Sequence, residues 1–480
     1  MTPDTGGQRS FTMKDQLSFA ELSSDRNPLH LDTHFARRTQ FGFPVVHGIH
    51  HVLWAANRVL TANRFPVRRI KVRFSNALLV DEPAQIGIRN STGSTLSFQV
   101  MTGSIVVASV SLFRDPAPVE SINAKGIEKK PEIRTEPRET RFEELAGTFG
   151  SVAVNCAEDE LRELFPALVE AIGAQPVRGL LAASQLVGMA CPGLYSLFTG
   201  LDVSLDASSS DRKDLSYAVA EVDARFRSVH IAVQGLGISG RLETFSRLPP
   251  VAQPALGDIS KIVHNNEFSG KRVLIIGGSR GLGEVTAKII AAGGGHPIIT
   301  YHSGQDDAER VAGEIQQFEA PCDTFQFDVF QSAQSQLAGL KAVDACYYFA
   351  TPKIFLRKSS LYEADKMQTF LQCYVDGFFD LSKNLPRLKS GKIALFYPST
   401  VAIDMHDAAT TEYAMAKAAG EILCANMNQF LPDVQVISRR LPRILTDQTS
   451  TIGMTHEAAG AIDVMLPIVR EMHAMTATSV

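Results

Sequence analysis

The chain has 480 residues, of which 45% are hydrophobic and 20% charged, and its net charge is −4 at neutral pH. One ordinary core does not reach that length, so about three domains are expected at ~150 residues each, and the slightly acidic balance offers nucleic acid no basic field. Cys156, Cys191, Cys322, Cys346, Cys373 and Cys424 are scattered without CxxC spacing, which indicates neither a metal site nor a disulfide framework and points to a reducing, cytoplasmic location.

Met1 to Ser10 is polar and lacks the apolar stretch of a signal peptide, so none is expected. Residues 1–115 form the first predicted domain: a helix-prone stretch rich in capping residues, a helix near Gly48–Leu60, then strand-like runs at Ile70–Phe74, Leu96–Met101 and Ser104–Phe113. Ahead of the helix, Asp25 and His30 stand five residues apart across Asn27-Pro28. Proline restricts its own φ and its predecessor's conformation, so a tight loop holds the pair. An acid and an imidazole so placed suit the addition of water to a thioester-conjugated alkene. One group deprotonates water and the other protonates the α-carbon. The charge developing on the thioester oxygen needs a donor, and the N–H of Gly48, at the positive end of the helix dipole, is the candidate.

Phe19-Ala20-Glu21-Leu22, Asp25, Asn27-Pro28, His30, Phe35-Ala36, Thr39-Gln40-Phe41-Gly42 and Val46-His47-Gly48 together resemble the signature of the MaoC-like (R)-specific enoyl-CoA hydratases. The resemblance implies a hot-dog fold, Asp25 and His30 as the catalytic pair, and a 3-hydroxyacyl or enoyl thioester of R configuration. Arg26 and His34 are read as solvated, and His50 and His51 are assigned no chemistry.

Residues 116–141, rich in Lys, Glu and Pro, read as a linker. Residues 142–247 resume folded character and end in alternating runs at Ser216–Arg225, His230–Val233 and Gly240–Phe245. Within them Gly179–Leu201 is uncharged and long enough to span a bilayer, but Pro192, four glycines and Ser184, Gln185, Ser196 and Thr199 predict a buried helix broken by a turn. Pro192-Gly193-Leu194-Tyr195 aligns with His47-Gly48-Ile49-His50 at an offset of 145, each pair starting a helix after glycine and preceding period-2 strands. A long helix wrapped by an antiparallel sheet is the hot-dog fold. The predicted class is therefore an α+β double hot dog, whose second, non-catalytic copy completes an acyl tunnel.

A second linker is expected at 248–268. From 269 to 480, apolar strands alternate with helical stretches, predicting an α/β Rossmann-type, doubly wound parallel sheet. Val273–Ile276 runs into Gly277-Gly278-Ser279-Arg280-Gly281-Leu282-Gly283, followed by a helix-prone stretch. Such glycines permit a tight turn and the close approach of backbone to a pyrophosphate. Candidate cofactor contacts are Gly277, Ser279, Arg280, Gly281, Leu282 and Gly283. The second strand, Pro297–His302, ends without the acid that would bind a free ribose hydroxyl, and Arg280 can pair with a 2′-phosphate. NADP(H) is thus expected in preference to NAD(H).

Tyr413 and Lys417 are four apart and share a helix face. The ammonium is expected to lower the phenol's pKa, so that tyrosine exchanges a proton with a carbinol oxygen during hydride transfer. The G-x-x-x-G-x-G spacing, Phe396-Tyr397-Pro398-Ser399-Thr400 and Tyr413-Ala414-Met415-Ala416-Lys417 resemble the short-chain dehydrogenases/reductases of the 3-ketoacyl reductase type. The resemblance implies Asp328 and Val329 as adenine contacts, with a surface turn as the alternative, and Ala350 beside the cofactor. Residue type makes Ser399 the hydroxyl partner of tyrosine, a separation of thirteen makes it Thr400, and Ser399 is placed first. Tyr348-Phe349-Ala350-Thr351 replaces the usual Asn-Asn-Ala-Gly, Tyr374 the helix asparagine, and Pro442-Arg443 the Pro-Gly after the sixth strand; the segment from Ile444 is short. These departures leave turnover open.

The function expected is bifunctional: reduction of a 3-oxoacyl thioester by NADPH to the 3R alcohol, and interconversion of that alcohol with the trans-2-enoyl thioester. Both resembled families handle the 3R hydroxyl. The carrier is coenzyme A or acyl carrier protein, no nucleic-acid or membrane partner is expected, and homodimerisation stays open. One alternative keeps the hydratase alone, with a reductase-like scaffold. Another is a non-catalytic acyl-carrier docking module, against which the intact Asp25/His30 and Tyr413/Lys417 pairs argue.

Overall fold

A computed structural model describes residues 7–116, 130–132, 134–205, 212–354, 360–388, 392–444, 446 and 459–477. Most of the expected linker at 116–141 and much of the segment from Ile444 lie outside the described residues. The chain divides into two compact units at Pro249–Pro250.

In the first unit, helix Met13–Ser23 starts in a capping box: the Thr12 hydroxyl accepts from the Asp15 N–H, and Asp15 accepts from the Thr12 N–H. Ser24, left-handed at φ 58°, stops the helix and delivers Asp25 to its end. Asn27 caps the next turn, Pro28–Leu31, by accepting from the Leu29 N–H at 3.0 Å. The helix Gly48–Ala62 buries nearly every face, with Ile49, Val52, Leu53, Ala55, Ala56 and Val59 in the core.

Ten strands surround this helix and a second one, Ala174–Gln185. They are β1 (Arg9–Ser10), β2 (Arg69–Phe74), β3 (Pro83–Ser91), β4 (Thr95–Thr102), β5 (Ile105–Phe113), β6 (Phe149–Val152), β7 (Ser196–Leu205), β8 (Leu215–Asp223), β9 (Ser228–Gly235) and β10 (Ile238–Ser246). Their order is β1-β3-β4-β5-β2-β7-β10-β9-β8-β6, and every pair is antiparallel. Period-2 burial in β4, with Leu96, Phe98 and Val100 inward, shows why these sequences alternate. The two halves join at β2–β7, where Val72 faces Leu201 and Arg69 grips Asp202 through Nε and Nη2. One apolar cluster runs through both halves.

The expected repeat register is corrected. The second long helix precedes Gly193: it runs from Ala174, continues through a wider turn at Leu186–Ala190, and gives way to β7 at Ser196. Gly193 has φ +87°, and a Cβ there would lie 2.2 Å from the Arg138 carbonyl oxygen, so this glycine serves a close backbone approach rather than a helix start. No helix among the described residues is long and apolar enough to cross a membrane.

The second unit holds β11 (Arg272–Ile276), β12 (His296–Tyr301), β13 (Asp323–Gln326), β14 (Ala345–Tyr348), β15 (Ile393–Thr400) and β16 (Val434–Leu441) in the all-parallel order β13-β12-β11-β14-β15-β16. Val273 and Ile275 enter one core, Leu274 and Ile276 the other, so both faces of the sheet are covered. The strand order reverses between β11 and β14, the crevice where such sheets bind ligands. The expected linker at 248–268 is largely packed: Leu256, Ile259, Val263 and Phe268 join the core. Buried Lys288 donates to the Pro254 carbonyl at 3.0 Å while pairing with Glu284 and Glu314 at 2.8 Å. From Pro250 onward this segment belongs to the second unit.

Trp54, the chain's single tryptophan, is buried in the first unit and reports its unfolding alone. Leu201→Ala, at the seam of the two halves, is expected to cost about 2–5 kcal/mol, seen as a lower urea midpoint in Trp54 fluorescence.

Candidate active sites

Asp25 is buried at the end of its helix. Its Oδ2 accepts from the Ser184 hydroxyl at 2.7 Å, and its Oδ1 from the Asn27 N–H at 3.3 Å. A Cβ on Gly188 would fall 2.1 Å from Oδ1, so the end of the second helix is shaped around this carboxylate. Asn27 also reaches the second half, its Nδ2 donating to the carbonyls of Gly188 (2.9 Å), Gly193 and Leu194 (both 3.3 Å). His30 Nδ1 lies 2.6 Å from the Val45 carbonyl oxygen. A carbonyl only accepts, so Nδ1 carries the proton and Nε2 is left for the site.

His47 completes the cluster, stacked on His30 with ring centroids 3.8 Å apart. Its Nδ1 is 2.9 Å from Gln16 Oε1 and its Nε2 3.1 Å from the Asp25 carbonyl oxygen. A carboxylate oxygen and two ring nitrogens of Asp25, His30 and His47 lie within 4.8 Å of one another. That spacing could also hold a metal ion, although none was expected and the chemistry below needs none. Burial raises the Asp25 carboxyl against the opposing pull of His30, and burial lowers His30 against the pull of Asp25. Burial also holds His47 well below its ordinary value. His50 and His51 are pushed down to about 3 by burial and pack against Phe19 and Phe74. Gly48 opens the central helix without a side-chain cap, and a Cβ there would lie 2.9 Å from Phe74 Cε1. Ser184 and Gly188 were invisible as site residues because nothing local marks them. His47 carried a signal, a histidine next to the helix-opening glycine.

In the second unit, the chain leaves β11 through Gly277 (φ +76°) and enters helix Gly281–Ala292 at Gly281 (φ +56°). A Cβ on Gly283 would lie 2.3 Å from the Gly277 carbonyl oxygen, and one on Gly277 would meet the Ala350 nitrogen at 3.0 Å. Ser279, Arg280 and Leu282 lie in the same turn, with Arg280 in the N-cap position and no side-chain cap. Such a loop at the strand-order reversal fits the pyrophosphate of a nicotinamide cofactor, which this fold implies. Asp328 and Val329 follow β13 on the same edge. Asp328 accepts from the Phe330 N–H at 3.0 Å and faces His302 at 3.7 Å, which is also the geometry of a surface turn.

At the end of β15 the structure separates the two hydroxyl candidates. Thr400 opposes the rise that burial imposes on the Tyr413 phenol, whereas Ser399 is buried and donates to Glu421 at 2.5 Å. Ser399, placed first, is engaged by Glu421, and Thr400 is the candidate on the other side, since alternation along the strand sends neighbouring side chains to opposite faces. Lys417, expected to act on the Tyr413 phenol, is engaged by other groups as well. Its Nζ donates to the Pro398 carbonyl at 2.6 Å and sits 3.9, 4.8 and 6.0 Å from the ring centroids of Tyr374, Tyr397 and Tyr413. Burial pushes the amine down to about 7, and burial raises the Tyr413 phenol, with Thr400 opposing. Tyr374 is fully buried and hydrogen-bonds Thr351.

The first unit thus pairs a buried acid with a half-buried imidazole beside a helix start, and the second is an α/β fold with a glycine-rich loop at its strand-order reversal. Residues 1–107 match the family described as MaoC like domain, and residues 271–455 the family described as short chain dehydrogenase. The chain carries a MaoC-like domain at its N-terminal end and a short-chain dehydrogenase domain at its C-terminal end. It is 32% identical over 98 residues to the peroxisomal hydratase-dehydrogenase-epimerase of Saccharomyces cerevisiae, covering 20% of this chain and 11% of that protein. It is 44% identical over 43 residues to the 3-hydroxybutyryl-CoA dehydratase of Methylorubrum extorquens, covering 9% of this chain and 27% of that protein. The chain thus spans a small part of these curated relatives. A short chain dehydrogenase structure from Salmonella enterica serovar Typhi is 19% identical, with a TM-score of 0.39, over 44% of this chain and 92% of that one.

Gly188→Ala is expected to destabilise the first unit by about 1–3 kcal/mol through overpacking against Asp25. In an Asp25→Ala background most of that cost should vanish. Equal costs in both backgrounds, by Trp54 fluorescence, would show that the two residues are not coupled.

Proposed function

We propose that the chain is a bifunctional acyl-thioester enzyme whose first unit interconverts (3R)-hydroxyacyl and trans-2-enoyl thioesters. The observation that carries this reading is the pair of buried Asp25 and half-buried His30, brought together by the Asn27-Pro28 loop. With Nδ1 committed to Val45, neutral His30 takes a proton from water at Nε2. Asp25, whose proton burial favours, delivers it to the α-carbon, and dehydration runs the same transfers in reverse. The Gly48 N–H, at the start of its helix, receives the charge on the thioester oxygen. Asn27 ties the loop to the second half. The ten-stranded sheet around two central helices supports reading residues 1–115 and 142–247 as two hot-dog halves, the second non-catalytic. The relatives' names support a coenzyme A thioester; acyl carrier protein is the other carrier in this reading. The six cysteines, all unpaired and buried, suit a reducing compartment such as the cytoplasm.

In the second unit we infer reduction of a 3-oxoacyl thioester. A bound nicotinamide supplies hydride there, and NADP(H) is preferred for the lack of an acid after β12. Tyr413 gives its proton to the carbonyl oxygen, Thr400 holds the phenol, and Gly277, Ser279, Arg280, Gly281, Leu282 and Gly283 receive the phosphates. One observation favours the hydratase-only reading: Lys417 spends its hydrogen bond on Pro398, inside a box of tyrosine rings, and Tyr374 stands where a polar relay is expected.

Three outcomes test these proposals. Asp25→Asn is expected to slow hydration of an enoyl thioester by 10²–10⁴-fold, followed by loss of the conjugated absorbance; an unchanged rate defeats the reading. In the pH profile of kcat/KM, activity should be lost as pH rises through the raised Asp25 value and as it falls through the lowered His30 value, so the acid limb belongs below 6.5. For the reductase, Thr400→Val should slow NADPH oxidation with 3-oxoacyl thioesters more than Ser399→Ala does, and Tyr413→Phe should abolish it. No NADPH oxidation by wild type at any chain length would favour the scaffold reading.

A further inference from the structure

Arg247 follows β10 and is 6% exposed, yet among the described residues no carboxylate lies within 4.0 Å of its guanidinium. Its Nη2 makes a 3.3 Å hydrogen bond to the Leu194 carbonyl oxygen, and its Nε is buried without any partner. The contrast with Arg69, whose fork is filled by Asp202, shows what this group lacks. Removing a guanidinium from water is unfavourable unless an anion and further hydrogen bonds replace the hydration. A single long bond to a neutral carbonyl does not meet that demand.

The position is as informative as the missing partner. The Leu194 oxygen that accepts from Arg247 also accepts from Asn27 Nδ2 at 3.3 Å, so one atom links the guanidinium to the loop that holds Asp25 and His30. Arg247 is close enough to oppose protonation of His30, and its guanidinium carbon lies 6.0 Å from the Phe35 ring centroid. Tyr195, whose carbonyl accepts from the Arg247 N–H at 2.7 Å, turns its own hydroxyl to Glu139. Among the described residues no acceptor meets Nε, although the atom is shut away from solvent.

We propose that Arg247 binds an anionic oxygen group of the substrate, a carboxylate carried on the acyl chain, so that the hydration site takes enoyl thioesters of dicarboxylic acids. Nε and an adjacent Nη present the planar edge that a carboxylate accepts with two parallel hydrogen bonds. A carrier phosphate offers similar oxygens, but the pantetheine arm keeps it far from the thioester, whereas Arg247 adjoins the catalytic loop. The inference rests on the hydration reading of Asp25 and His30.

The test compares crotonyl-CoA with glutaconyl-CoA, which differ by the terminal carboxylate, on the wild-type full chain. At least a tenfold higher kcat/KM for the acidic thioester is expected, and Arg247→Met should reduce that ratio about tenfold while Arg247→Lys keeps part of it. Equal or crotonyl-favouring kcat/KM in wild type overturns the proposal without needing any variant. The same acyl pair on N-acetylcysteamine, which has no phosphate, should keep the preference. A preference lost there, with Arg247→Met weakening only the CoA thioesters, assigns Arg247 to phosphate and overturns the carboxylate. If wild type hydrates neither thioester, the hydration reading fails by itself. Calorimetric titration of Asp25→Asn with both thioesters then decides for Arg247, equal affinities counting against it.

Discussion

The first unit depends on one constraint: a carboxylate taken out of water must be held by groups that the rest of the fold provides. Asp25 meets it with a hydroxyl and a glycine lying more than 150 residues further along the chain, Ser184 and Gly188. Neither reaches the acid unless the second central helix lies against the first helix's end, and that placement requires the β2–β7 seam. Burial then sets the proton inventory, raising the acid and lowering the imidazole it faces. The site's chemistry and the joining of the two halves are one problem in packing.

Much of this architecture was legible because it is written in local rules. Glycine after β11, alternating apolar runs in β4 and β9, and the Asn27-Pro28 turn each act within a few residues. What escaped involved partners distant in sequence. The start of strand β7 was read as part of a helix, since a short apolar strand and a buried helix share one composition. Gly193 suggested a helix start by analogy with Gly48, although its positive φ serves the approach of Arg138. Leu256, Ile259, Val263 and Phe268 looked like a linker between prolines because their partners come from another stretch of chain.

The second unit teaches the same distinction at its active end. Residue type pointed to Ser399 and spacing to Thr400; the spacing prevailed because strand alternation fixes which face each side chain takes. The effect of Lys417 on Tyr413 could not be read from their shared helix face. An ammonium acts on a phenol only if it is free to approach it, and here the Pro398 carbonyl and the Tyr374 ring have first claim. Tyr374 was visible as a departure, but its hold on the lysine is a matter of three-dimensional neighbours.

The seam between the halves bears on how such signatures are inherited. A gene segment ending at residue 115 encodes every letter of the acid–histidine motif, yet its aspartate would face solvent, stripped of the hydroxyl that holds it and of the glycine that admits it. Recombination that trades one half for a distant homologue would preserve the recognisable motif and lose the surroundings that hold its acid. The two halves therefore travel together as a single heritable unit, since each supplies part of the shape around that aspartate.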